Sequence, residues 1–170
     1  MEPTLNERVD RLLANARFTT LATHDGRTPW AATVNFVALH RPLRLLWASM
    51  ASARHSRDIA AERSVAGSIY MTGLPGFGLD GMQYSGTARS IEHESEVIAF
   101  HKTFYDLNFP DEAVRQQLLL PPETYFRDGG RRLYLLTVEQ YWLLDIDRWL
   151  IDMTDQRIEV PAEIQPDRKG

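Results

Sequence analysis

The sequence contains no cysteine. Disulfide frameworks, thiolate zinc sites and cysteine nucleophiles are therefore excluded at once. It also lacks any apolar run approaching the ~20 residues that a membrane-spanning helix needs. The stretch from Met1 to Ala16 carries acidic residues and has no continuous apolar segment, so it does not read as a signal peptide, and the cytoplasm is the expected compartment. Positive charge is not in excess: the formal net charge is −4. No global basic field draws in nucleic acid or anionic lipid, which leaves room only for a local cationic pocket. Internal repeats and low-complexity segments are missing too. What remains is a chain of 170 residues, 44% hydrophobic and 25% charged, close to the globular average. A single domain of that size buries roughly 70% of its unfolded surface, enough for one proper core. The expected limits are residues 1–160 for the domain and 161–170 for a polar, frayed tail.

Hydrophobic spacing orders the elements. Thr4 and Glu7 have capping-box spacing, and Leu5, Val9, Leu12, Leu13 and Ala16 recur at helical period, which predicts a helix over 5–15. Phe18 to Thr23 and Trp30 to Leu39 are rich in β-formers and flank Asp25-Gly26, a strong hairpin signal. Leu43 to Trp47 follows after a short turn, so three strands form a meander. Ser49 to Glu62 reads as a helix with Ser52 as N-cap. Further strands are predicted over 65–71 and 82–91, then a helix capped by Ser95, a short helix over 113–119, strands over 132–138 and 141–145, and a weaker one over 158–160. Mostly consecutive strands with interspersed helices favour a mainly β, antiparallel barrel with added helices over a parallel α/β sheet.

One stretch bears on function. In Ser49-Met50-Ala51-Ser52-Ala53-Arg54-His55-Ser56-Arg57 a strand ends and a helix begins. Arg54, His55 and Arg57 fall in the first turn, where cations oppose the helix macrodipole. Free N–H groups, a hydroxyl and adjacent cations make an anion site, and arginine grips phosphate oxygens in pairs. The plainer alternative is an exposed ion pair between Arg54 and Asp58, four residues apart and worth little. The residues alone leave the two readings about even, with the dipole tipping slightly toward phosphate.

The order of Phe18–Thr23, Asp25-Gly26-Arg27, Trp30–Val37, Leu45–Ser49, Arg54-His55, Ser64–Tyr70 and Gln83–Ile91 resembles the pyridoxamine 5′-phosphate oxidase-like FMN-binding split barrels, over roughly residues 7–150. That resemblance implies a Greek-key-like, six-stranded antiparallel barrel and a homodimer with FMN at its interface. It implies an oxidoreductase acting on a small organic substrate. In the family a Ser-Arg-Lys or Ser-Arg-His element holds the FMN phosphate, and here the matching residues are Ala53-Arg54-His55, alanine replacing serine. The resemblance implies further contacts from Ser49 and Ser52, from Thr33 and Asn35 on the second strand, from Gln83, and from Trp142 of a late aromatic strand closing over the partner's flavin. Split barrels of this kind also hold haem or a deazaflavin, or bind flavin without turnover. Enzymes that oxidise pyridoxamine phosphate share a C-terminal Arg-x-His element. Here Arg148 is followed by Trp149 and Leu150, and no histidine occurs after His101, so that activity is not expected.

Other patterns carry less. Gly76-Phe77-Gly78-Leu79-Asp80-Gly81 matches a dinucleotide fingerprint formally, but strand-like alternation follows it where a helix is required. His93, Glu94, Glu96 and His101 form no compact ligand set, and they read as solvated helix residues. No nucleophile-elbow motif supports a serine triad. No residue stands out as a catalytic acid or base.

Overall fold

The computed structural model describes residues 3–76 and 78–161. The tail expected over 161–170 thus lies, from residue 162 on, outside the described residues. Helix α1 (Leu5–Asn15) begins with the predicted capping box: Thr4 Oγ1 accepts from the Glu7 N–H, and the Glu7 carboxylate accepts from the Thr4 N–H. Strands β1 (Phe18–His24), β2 (Pro29–Leu39) and β3 (Arg44–Met50) form the expected meander. In the first turn Gly26 takes φ +89°, and Asp25 Oδ1 accepts from the N–H groups of Arg27 and Thr28 at 2.9 and 2.7 Å. Glycine supplies that backbone conformation without a Cβ penalty.

Helix α2 (Arg54–Ala61) leads to β4 (Ser64–Thr72) and β5 (Leu79–Ser90). Then come α3 (Glu94–Asn108), α4 (Glu112–Leu118), a 3₁₀ turn at Pro122–Tyr125, β6 (Arg131–Leu144), α5 (Ile146–Asp152) and β7 (Arg157–Glu159). The strands neighbour one another in the order β3-β2-β1-β4-β5-β6-β7, and β3 also pairs with β6, closing six strands into a barrel. The first half of β6, Arg131 to Thr137, closes on β3, while its end, Trp142 to Leu144, pairs with β7. All pairings are antiparallel.

Alternation along the strands sends Leu21, Phe36, Leu45, Trp47, Ile69 and Met82 inward, all essentially buried. Gly67 also faces inward, and a Cβ there would collide with the Tyr84 hydroxyl. That hydroxyl shares a 2.7 Å hydrogen bond with Thr19 Oγ1, which reaches the Ser68 carbonyl at 2.9 Å, so these two buried hydroxyls are satisfied. Val9, Leu12 and Leu13 of α1 pack on one end of this core, near the start of β5. A buried ion cluster fastens the helix there: Arg8 Nε and Nη2 donate to Asp80 at 3.1 and 2.7 Å, Arg11 at 2.9 Å, and Arg8 also reaches the Leu144 carbonyl. Helix α3 covers the outside of β2, β3 and β6 with a second apolar cluster built on Val97, Phe104 and Tyr105.

Four local expectations are corrected. The strand predicted to stop at Trp47 continues to Met50, so α2 starts at Arg54 with Ala53 as its N-cap and no side-chain cap bond; Ser52 does not cap. Helix α3 starts before Ser95, with His93 at the cap position. The two late strands are one, because a bulge opposite Ser85 and Gly86 absorbs Glu139 instead of breaking the chain. Helix α5 went unpredicted: Asp145 starts it by accepting from the Arg148 N–H at 3.0 Å, and only seven residues leave little periodicity to read.

Candidate functional site

Helix α2 sits over the barrel end opposite α1, with Ile59 inserted in the core. Its N-terminus carries no side-chain cap, so the first-turn N–H groups are left for water or a ligand. Arg54 stands at this end. Its guanidinium lies 5.1 Å from the centre of the Trp30 ring and donates to the Thr28 carbonyl at 3.4 Å. The carboxylates of Asp25 and Asp58 are 3.6 and 3.8 Å away, and the Arg54 side chain is about one-third exposed. The ion pair with Asp58 is thus present but long, and Asp58 is already engaged by Thr23 Oγ1 at 2.9 Å. Such a pair contributes little stability, which leaves most of the guanidinium fork available.

Beside it, Ser49 and His55 meet: Ser49 Oγ lies 2.7 Å from His55 Nε2. Burial lowers the imidazole pKa below its usual 6.5, with Asp58 offsetting only part of the effect. His55 is therefore neutral at pH 7 in the free protein, a polar partner for Ser49 and not the standing cation that the sequence suggested. An imidazole harder to protonate folded than unfolded gives stability that is full above about pH 6.5 and is lost as pH falls toward its lowered value. Thermal melts of the ligand-free protein are expected to show that acid-side loss, with a shallower slope in His55→Gln. Equal slopes would assign the loss to other groups.

The remaining predicted residues fall elsewhere. Ser52 is exposed, and its carbonyl accepts from Arg57. Asn35 Nδ2 donates to the Arg17 carbonyl at 2.9 Å and its Oδ1 accepts from Asn108. Thr33, Gln83 and Trp142 share one cross-strand row, Thr33–Thr20–Ser68–Gln83–Trp142, on the outer face of the barrel. The next row, Ala31–Ala22–Ala66–Ser85–Gln140, is mostly small side chains, and Ala22, Ala66 and Ser85 line a hollow of about 550 Å³. Phe18 and Tyr70, 58% and 60% exposed, lie on β1 and β4 alongside these rows. Counted along the sheet, Gln83 is three strands and Trp142 four strands from Thr33. The side-chain neighbours of Arg54 are Thr28, Trp30, Asp25 and Asp58, all on β2, the first hairpin or α2, while Gln83 and Trp142 belong to β5 and β6. Gln83 Oε1 instead accepts from Arg157 at 3.1 Å. His101, expected to be solvated, is buried between Tyr105 and Tyr125 and bonded at Nε2 to the Leu120 carbonyl at 2.7 Å. The sequence missed Trp30 as the neighbour of Arg54, because only hairpin geometry brings the two together.

Among the described residues no group of histidines and carboxylates is arranged to hold a metal ion, and no helix is long and apolar enough to cross a membrane. No family model matches the sequence, and no curated protein matches it. Solved structures do. A haem binding protein of Mycobacterium smegmatis superposes with TM-score 0.65 at 16% identity, over 96% of this chain and 60% of that one. The chain thus spans about three-fifths of that protein's length. A FAD-binding protein of Mesorhizobium loti gives TM-score 0.61 at 12% identity, covering 82% and 92% of the two chains. A provisional pyridoxamine 5′-phosphate oxidase of Listeria innocua gives 0.59 at 18%, covering 84% and 99%. The chain has the split-barrel fold of these proteins, and the resemblance read from the sequence holds at the level of fold.

Proposed function

We propose that the protein binds FMN and works as an oxidoreductase on a small organic substrate, as a two-fold dimer with the flavin at the interface. The observation that carries this reading is the uncapped N-terminus of α2, with Arg54 as its first residue and the Ser49–His55 pair beside it. That donor set fits a phosphate monoester: the helix start offers free N–H groups and a dipole that favours an anion, and Arg54, its first residue, would turn its guanidinium from Asp25 and Asp58 to the phosphate. Arg54 and the first-turn N–H groups would hold the phosphate, while Ser49 adds a hydroxyl. Thr33 and the backbone of β2 would line the ring. The flavin, when bound, supplies the redox chemistry, and the protein supplies orientation and the exclusion of water. Neighbours that bind FAD or haem support the coarser reading of a cofactor-binding barrel.

The purified protein is expected to be yellow and to release FMN, not FAD, on heating. A colourless protein that takes up no added FMN sinks the proposal, and a haem spectrum replaces it with a haem-binding module. The holoprotein is also expected to leave pyridoxamine 5′-phosphate unoxidised in air. Arg148, where the oxidases have Arg-x-His, lies on α5 and pairs with Asp152 at 2.5 Å.

The dimer rests on the outer sheet face. A face of alanine, serine and threonine flanked by exposed Phe18 and Tyr70 is suited to a second copy of itself. Gln83 and Trp142, on the same outer face but on β5 and β6, would serve the partner's flavin. Ala66→Arg, on an exposed position of that face, is expected to yield a monomer with weakened FMN binding. Light scattering that gives an unchanged dimer mass, or a wild-type monomer with FMN bound, refutes the arrangement.

A further inference from the structure

A second concentration of positive charge lies beyond Arg54 and shares no side chain with it. A hollow of about 390 Å³ is lined by Arg57, Arg63, Arg89 and Arg132, with Tyr134 in its wall and Glu92 as its one carboxylate. That volume lies within the roughly 300–1,000 Å³ of small-molecule sites. The four guanidinium groups come from α2, the α2–β4 connection, β5 and β6, so the closed barrel and its helix bring them together.

How each charge is held decides what the hollow can do. Arg89 is neutralised by Glu96. Arg132 is fixed by carbonyls alone: Nη1 donates to Gly129 and Arg131 at 2.6 Å each, and Nη2 to Arg127 at 2.8 Å. Arg57 donates to the Ser52 carbonyl. Neither Arg57, Arg63 nor Arg132 has an ion pair among the described residues. Carbonyls orient a guanidinium but do not neutralise it. In a chain whose net charge is −4, unpaired cations gathered around one hollow repel each other unless an anion joins them. Glu92, bonded to Ser90 Oγ, is too little to balance them. The Tyr134 phenol, kept protonated by burial, lies in the same wall with its hydroxyl on Ser56.

We infer that this hollow is an anion site for a phosphate monoester, separate from the seat proposed for the flavin phosphate. Guanidinium forks bind two oxygens of such a group each, and the remaining volume admits its organic part. The inference does not depend on the flavin reading.

The test is calorimetric titration of the protein as purified with inorganic phosphate and with glycerol 3-phosphate, alongside FMN titration of the same samples. Saturable binding of the monoester is expected, weakened at least ten-fold in Arg63→Gln, which is exposed and leaves the fold intact. Arg132→Gln is expected to weaken it further, with a melting temperature measured to confirm folding. FMN affinity is expected to stay at the wild-type value in Arg63→Gln. Absence of saturable binding at millimolar phosphate overturns the inference, as does unchanged binding in Arg63→Gln. A parallel loss of FMN affinity also overturns it, because the hollow would then be the flavin's own phosphate seat. Tighter binding of a single-stranded oligonucleotide than of the monoester reassigns the surface to nucleic acid.

Discussion

Asp80→Ala is expected to cost about 3–5 kcal/mol of folding stability, the usual penalty for leaving a buried charge without its partner. Asp80 is fully buried and accepts from Arg8, Arg11 and the Gly81 N–H. Without it, the buried Arg8 keeps only the Leu144 carbonyl. Helix α1 then loses the charge pair that fixes it across β5 and β6, although Val9, Leu12 and Leu13 still pack on the core. The hydrogen bonds from Arg8 and Arg11 outweigh the burial that opposes ionisation, so the Asp80 carboxyl is held below the usual aspartate range. Its stabilising contribution is complete above that range and disappears as pH falls through the lowered value. Urea unfolding at neutral pH gives the number directly. A loss under about 1 kcal/mol, the most an exposed pair is worth, would mean that water reaches Arg8 and that the cluster counts as surface.

Arg54→Ala is expected to weaken FMN binding by at least ten-fold while leaving the melting temperature nearly unchanged. A charge-assisted contact to a phosphate oxygen is worth roughly 1.5–3 kcal/mol. The ion pairs that Arg54 makes within the chain are 3.6 and 3.8 Å long and partly exposed, so their loss costs the fold little. The two readouts separate the two roles open to this residue. Lost affinity with intact stability identifies a ligand contact. Unchanged affinity would leave Arg54 as a cation bridging Asp25, Asp58 and the Trp30 ring, and the anion site would have to be sought elsewhere.

The barrel was legible because its signals are local. The alternation of Phe18–Thr23 and Trp30–Leu39 around Asp25-Gly26 fixes a hairpin whatever the rest of the chain does. The capping box at Thr4 and Glu7 is just as self-contained. The start of α2 was not legible, because a helix boundary depends on where β3 stops pairing, and β3 runs to Met50 only because Arg131 is there to pair with it. His101 was misread for a similar reason: its helix gives no hint that the segment after α4 folds back to offer the Leu120 carbonyl. At the candidate site, Ser49, Arg54 and His55 were close in sequence and remain close in space. The bonds of the Asn35 side chain to Arg17 and Asn108 cross long stretches of chain and leave no mark in the sequence. Asp80, read only as part of a spurious glycine motif, anchors a helix about seventy residues away in sequence, and hydrophobic periodicity carries no trace of such a partnership.

Closure of the barrel has a consequence in time as well as in space. β3 and β6 are the two rims that meet, and the whole of α2, β4, β5, α3 and α4 lies between them in the chain. Contacts across so long a loop form late, because closing entropy is spent before the pairing returns it. Until that moment the run Leu133–Leu136, buried in the finished protein, lies along an unpaired strand. The native barrel offers almost no free backbone along these rims, yet its precursor exposes a long apolar edge of the kind that recruits other chains. Aggregation in this protein is therefore expected to follow the concentration of chains still folding, and to be nearly insensitive to how much finished protein is present.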